Sequence, residues 1–230
     1  MPTESQLHPL KDGSSIEIFV NGLHQYWTEH DQVKRPSVSG LAGHVDRDAF
    51  GAGQGYAIKQ MNLGLDPRKS TKDAAEQGSK LHKDIDNFIK SDKKIIAEEN
   101  NLFVKWHQEF GDKEWITTER YVFTPELLYG GPLDAIGITA TSSQLYDWKT
   151  VNPDSWEKYG SDHRKAKDSA QIAGYALALE SLGSAFDVDQ AFIAYILRDG
   201  SAVELEAVDL EWGKELFLGS RYLYNKLKKE

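Results

Sequence analysis

Gly130-Gly-Pro-Leu-Asp134, followed by Tyr146-Asp147-Trp-Lys149-Thr150, is the stretch that decides the fold. Apolar and polar residues alternate through 128–138 and 144–151, the period of two that marks strands. A hairpin closed around Ala140-Thr141 sets position 134 opposite position 147, both being equally far from the turn. Facing residues of an antiparallel pair have Cα atoms about 4.5–5.5 Å apart. Two carboxylates would then share one face, and Lys149, two residues beyond Asp147, would share it too.

Working outward, the same period runs through 115–124, so three consecutive strands are expected. Upstream, the period becomes helical. Ala74, Gly78, Leu81, Ile85 and Phe88 form an apolar stripe over 70–90, with Ser70 or Thr71 as the cap. A second helix is expected over 97–110. Near the start, 16–20 and 23–27 flank Asn21-Gly22, a pair suited to a type I′ turn. A short helix over 38–45, capped by Ser37 or Ser39, and a further one over 50–61 complete this half. Residues 1–15 read as a loose polar lead-in. Downstream, a helix is expected over 169–182, strands over 188–197 and 202–208 joined at Asp199-Gly200, and a closing helix over 211–229 with a basic end. The pattern is a mixed α/β (α+β) domain, with a mostly antiparallel or mixed central sheet flanked by helices.

The chain has 230 residues, enough for one well-cored domain or a domain with a modest extension. It contains no cysteine, which excludes disulfides, thiolate zinc sites, iron–sulfur clusters and cysteine nucleophiles. The formal net charge of −9 repels nucleic acid unless divalent metal and a local basic patch screen the site. No apolar run approaches the ~20 residues that span a bilayer. The first residues have neither a basic n-region with an apolar core nor an Arg-rich amphipathic stretch, so neither a secretory signal nor a mitochondrial presequence is expected. A cytoplasmic setting is the expectation that follows.

Two adjacent aspartates raise one another's pKa and are costly in a central sheet unless a cation lies between them. Oxygen ligands with open positions suit Mg²⁺ or Mn²⁺. Such an ion polarises a phosphoryl oxygen and lowers the pKa of bound water. Lys149 could orient or deprotonate that water, or stabilise charge on the phosphate. A surface hairpin with an Asp–Lys pair is the bland alternative. Bulky neighbours Leu133, Ile136, Leu145, Tyr146 and Trp148 argue instead for central strands. His82 lies beside the apolar stripe of its helix, either as a hydrogen-bonded half-buried histidine or as a further ligand. Gly78, at a helix-interior cost of ~1 kcal/mol against alanine, suggests that the sheet or a DNA strand comes close to that face. Lys158, Arg164, Lys165 and Lys167 form the densest basic stretch, with Trp156 and Tyr159 alongside. That combination suits phosphate tracking and base stacking on single-stranded nucleic acid, although a solvated helix start reads the same way. Lys59, Arg68 and Lys69 could add an arch.

Gly-Ser-x-Leu-His-x-x-Ile (78–85), Gly-Gly-x-x-Asp (130–134), Asp-Trp-Lys-Thr (147–150) and Gln-x-x-x-Tyr (171–175) occur here in that order. Together they resemble the RecB-type branch of the PD-(D/E)XK nuclease superfamily. Within it the chain is most similar to the mitochondrial genome-maintenance exonucleases and related phage and bacterial single-strand exonucleases. The likeness spans roughly 35–180 and includes Arg35-Pro-Ser-Val-Ser39. It implies a restriction-endonuclease-like core over 70–230, with 1–69 as an N-terminal hairpin and helical extension. It further implies that His82, Asp134 and Asp147 bind metal with the Trp148 carbonyl, and that Lys149 is the catalytic lysine. Gln171 and Tyr175, on one helix face, would hold the scissile phosphate or orient Lys149. Glu119 would match an acidic position on the preceding strand. The absence of cysteine sets aside the cluster-bearing subfamilies, and the lack of an import sequence points to a phage or bacterial form. The expected function is a Mg²⁺- or Mn²⁺-dependent exonuclease on single-stranded DNA. The alternatives are a structure-specific endonuclease, a non-catalytic DNA-binding or recombination module, and a ferrous oxygenase, for which Lys149 has no natural role.

Overall fold

The computed structural model describes residues 3–30, 32, 34–50, 61, 62, 64, 66–124, 126, 128–162 and 164–227. The helix expected over 50–61, apart from its ends, and Lys59 lie outside the described residues. So does Lys229, at the end of the expected closing helix.

A five-stranded sheet forms the centre, in the order β4-β5-β6-β7-β8. Its strands are β4 (Glu114–Thr124), β5 (Tyr129–Ile138), β6 (Ser143–Val151), β7 (Gln190–Leu197) and β8 (Val203–Ala207). Neighbours run antiparallel except β6 and β7, which are parallel. A parallel pair needs a crossover. Here it is built by α4 (Pro153–Tyr159) and α5 (Lys165–Leu182). The mixed sheet and its flanking helices match the expected class.

Helices cover both faces. On one side, α2 (Pro67–Lys90) and α3 (Asn101–Phe110) pack Leu81, Ile85, Phe88, Phe103 and Trp106 against Ala135, Tyr146, Trp148 and Ile196. On the other, α1 (Val38–Phe50), α5 and α6 (Leu210–Leu227) enclose Leu133, Ile136 and Leu145. Helix α5 is buried from Asp168 to Leu179 on nearly every face, because the sheet lies to one side and α1 and α6 to the other. Helix α2 starts a turn earlier than its apolar stripe suggests. Asp66 caps it by accepting from the Arg68 N–H, and Pro67 takes the first turn, where a missing N–H costs nothing.

The start of the chain departs most from expectation. Residues 1–15 are not a loose lead-in: Thr3–Pro9 forms β1, paired antiparallel with β2 (Ser15–Asn21), and β3 (Tyr26–Thr28) completes a second, three-stranded sheet. Nor does Asn21-Gly22 make a two-residue turn. The Asn21 side chain instead accepts from the backbone of Leu23 and Gln25, and His24 takes the left-handed conformation at φ 52°. This sheet docks closely on the larger one. A Cβ added at Gly130 would come within 2.6 Å of Tyr26 Cβ, so only glycine permits that approach.

Candidate metal centre

The β5–β6 hairpin turns at 139–142, and its rungs run Ile138↔Ser143, Gly137↔Gln144, Ile136↔Leu145 and Ala135↔Tyr146. The next positions in that register are 134 and 147, where regular pairing stops. The Asp134 side chain fills the opening between the strands: its Oδ2 accepts from the Trp148 N–H at 2.6 Å. The hairpin arithmetic therefore places both aspartates at the end of one ladder.

Three side chains meet at that end. His82 Nδ1, from α2, lies 3.3 Å from Glu119 Oε1 on β4 and 3.6 Å from Asp134 Oδ1. One ligand atom from each of the three falls within 4.8 Å of the others. On the far edge of the imidazole, Nε2 lies 3.1 Å from the Trp148 carbonyl. An Nε2–H donated to that carbonyl fixes the ring and leaves Nδ1 facing the two carboxylates, as in histidines that bind metal through one nitrogen and donate from the other.

Glu119 reaches this cluster through an uncommon backbone. It is opposite Asp134 in the β4–β5 register but makes no rung, and its φ is 45°. Left-handed backbone in a residue with a Cβ persists only where its surroundings enforce it. Strand β1 lies against this position. Gln6 Nε2 donates to the Glu119 carbonyl at 2.9 Å, and the Tyr121 N–H donates to Gln6 Oε1 at 2.9 Å.

Asp147 faces a different set of partners. Its Oδ2 is 2.6 Å from Lys149 Nζ, and its Oδ1 accepts from Gln171 Nε2 at 3.1 Å. Gln171 Nε2 also lies 3.5 Å from the Tyr175 hydroxyl, so the four-residue step on α5 does put both on one face. Tyr175 packs against Gly131 of β5: a Cβ there would approach its ring to 3.0 Å.

Burial sets the electrostatics. It pushes the Asp134 carboxyl up, with His82 opposing and Glu119 adding to the rise. It drives Asp147 up to about 7, with Lys149 opposing and Asp134 reinforcing. Burial works against a charged Lys149, yet Asp147, Asp168 and Asp134 outweigh it and raise its pKa. The His82 imidazole is likewise penalised by burial, but Asp134 and Glu119 lift it to about 9. Burial and the two aspartates together keep the Tyr175 hydroxyl protonated far above its ordinary range.

The donor set fits a divalent cation. Ligands about 2.1 Å from a six-coordinate ion lie about 3.0 Å apart along an edge and about 4.2 Å apart across the ion. The separations of 3.3 and 3.6 Å fall between those two values and need only small adjustment. Beside the cluster lies an open cleft of about 450 Å³, lined by Gly78, Ser79, His82, Lys83, Asp86 and Glu119.

The basic stretch read as a DNA track has the following surroundings. Arg164 turns inward, its Nε donating to Asp168 Oδ2 at 2.6 Å and its guanidinium lying over the Tyr195 ring. Lys165 pairs with Glu206, and Lys158 lies over Tyr159. Lys167 is half-buried on the first turn of α5, and Trp156 packs against Tyr195. The crossover helices thus set Arg164 and Trp156 against β7 and Lys165 beside β8, while Lys158 lies over its own neighbour on α4. Asp168, fully buried and close enough to influence both Asp147 and Lys149, escaped the sequence reading. Its four-residue spacing from Arg164 was the available signal.

No family model matches the chain, and no curated protein matches it. Solved structures similar to it include the following two. The crystal structure of SSO0001 is 16% identical, covers 81% of this chain and 75% of that chain, and superposes with a TM-score of 0.37. The crystal structure of LHK-Exo in complex with dAMP is 16% identical, covers 85% of this chain and 94% of that chain, and has a TM-score of 0.39.

Proposed function

We propose that this chain is a Mg²⁺- or Mn²⁺-dependent deoxyribonuclease that hydrolyses phosphodiester bonds of single-stranded DNA from its ends. The observation that supports it best is a cation-sized cluster of His82, Glu119 and Asp134 at the end of the β5–β6 ladder, with the Lys149–Asp147 pair on the next strand positions. His82, Glu119 and Asp134 would hold the ion, and the Trp148 carbonyl would orient His82. This shifts Glu119 into the ligand set and leaves Asp147 chiefly to Lys149. A divalent cation there supplies Lewis acidity toward a phosphoryl oxygen and a more acidic water. Lys149, held as a cation by Asp147, neutralises charge that builds on the phosphate. Gln171 fixes the Asp147 carboxylate, and Tyr175 stays a neutral hydrogen-bond donor. The scissile strand would enter through the cleft, where Gly78 leaves room and Lys83 provides a cation.

The test is digestion of end-labelled linear and circular single strands with Mg²⁺ or Mn²⁺. We expect cleavage of the linear strand only, abolished by EDTA. Asp134→Asn and Lys149→Met should each lower the rate by at least about a hundredfold, the scale for losing one transition-state electrostatic partner. Undiminished cleavage by Asp134→Asn would sink the reading, and equal cutting of circles would replace exonuclease with endonuclease.

A further inference from the structure

We infer that Gln6, on the N-terminal strand β1, is a positioning residue for the metal centre, acting through the backbone of Glu119. The inference rests on the metal-site reading proposed above. Glu119 is the member of the cluster with left-handed backbone: within β4, at φ 45°, it makes no rung to β5 just where its side chain turns toward His82. A single carboxamide spans the distortion. Gln6 donates to the carbonyl of Glu119 and accepts from the N–H of Tyr121, so one side chain satisfies an acceptor at Glu119 and a donor two residues on, both on the side of the edge strand β4 that faces β1. Neighbouring contacts hold β1 in place. Arg120 Nη1 donates to the Leu7 carbonyl at 2.7 Å, the Tyr121 hydroxyl donates to Glu4 Oε2 at 3.0 Å, and His8 bonds the Tyr121 carbonyl at 2.9 Å. Among these, only the Gln6 contacts bracket Glu119 itself. The others anchor the strand without touching the ligand's own peptide. Groups that orient a metal ligand from outside typically account for about 10–100-fold in affinity.

The test measures Mn²⁺ affinity of the full chain by calorimetry, with no DNA present. Gln6→Leu, which removes both bonds, should weaken Mn²⁺ about tenfold or more. Tyr121→Phe cuts a different β1–β4 bond and should stay within about twofold of the parent, since it leaves the Glu119 peptide clamped. Gln6→Glu keeps an acceptor for Tyr121 but sets a carboxylate against the Glu119 carbonyl. It should weaken Mn²⁺ as Gln6→Leu does, and it carries the test if Gln6→Leu does not fold. Parental affinity in the Gln6 variants, with affinity lost in Glu119→Gln, overturns the positioning role alone. Equal weakening in Gln6→Leu and Tyr121→Phe overturns it as well, by reducing it to general loosening of β1. Parental affinity in Glu119→Gln overturns the metal site and the positioning role together.

Discussion

Acid should release the N-terminal strand, and the magnitude follows from one buried histidine. His8 is fully buried. Its Nδ1 donates to the Tyr121 carbonyl and its Nε2 pairs with the Ser184 hydroxyl, each at 2.9 Å, so both nitrogens are used, and in the neutral ring Nε2 is the acceptor. Burial pushes its pKa down from 6.5 to about 4, with the Tyr121 carbonyl opposing and Arg120 assisting. A proton on Nε2 would face a hydroxyl that already accepts from the Phe186 N–H. Because the folded pKa lies below the unfolded one, the unfolded chain binds more protons between the two values. The stabilisation from neutral His8 is therefore complete above about 6.5 and declines as pH falls toward 4. At about 1.36 kcal/mol per pH unit, the full loss is about 3 kcal/mol, of which about 2 kcal/mol is gone by pH 5. Urea unfolding of the parent and of His8→Gln, from pH 8 to pH 4, isolates this contribution because the other titrating groups cancel in the difference. We expect the parent's advantage to shrink by about 3 kcal/mol across that range. A difference that stays flat, within an extrapolation error of about 0.5 kcal/mol, would refute the reasoning.

Two further outcomes concern Arg164 and Gly78. Arg164→Met should leave the buried Asp168 without its ion partner and cost about 3–5 kcal/mol in urea unfolding. The salt dependence of DNA binding should keep the parent's slope, because Arg164 faces inward rather than toward phosphates. Gly78→Ala should raise stability by up to about 1 kcal/mol in thermal unfolding, since the added Cβ would meet only Thr150 Oγ1, at an ordinary 3.4 Å. A fall in stability would mean that the sheet, and not open cleft, accounts for that glycine.

The central hairpin was legible because its information is local. Alternation set the two strands, the turn fell midway between them, and the count to Asp134 and Asp147 followed from pairing arithmetic alone. The stripe through Leu81, Ile85 and Phe88 likewise pointed His82 toward the sheet, since a helix carries its neighbours round by a fixed angle. The 3–9 segment showed no such signal. Ser5, Gln6 and His8 look like loop residues until β2 lies beside them and β4 behind them.

Sequence alone thus determined the strand order of the hairpin, the helix that bears His82 and the residue types able to grip a hard cation. Each of these depends on spacing along one element. Tertiary structure decided that Glu119 joins the cluster, that Asp147 answers to Lys149 and Gln171, and that Arg164 is spent on Asp168. Those outcomes depend on groups distant in the chain, such as Gln6 against Glu119. No periodicity records which buried polar group meets which, because only packing settles how each one is satisfied.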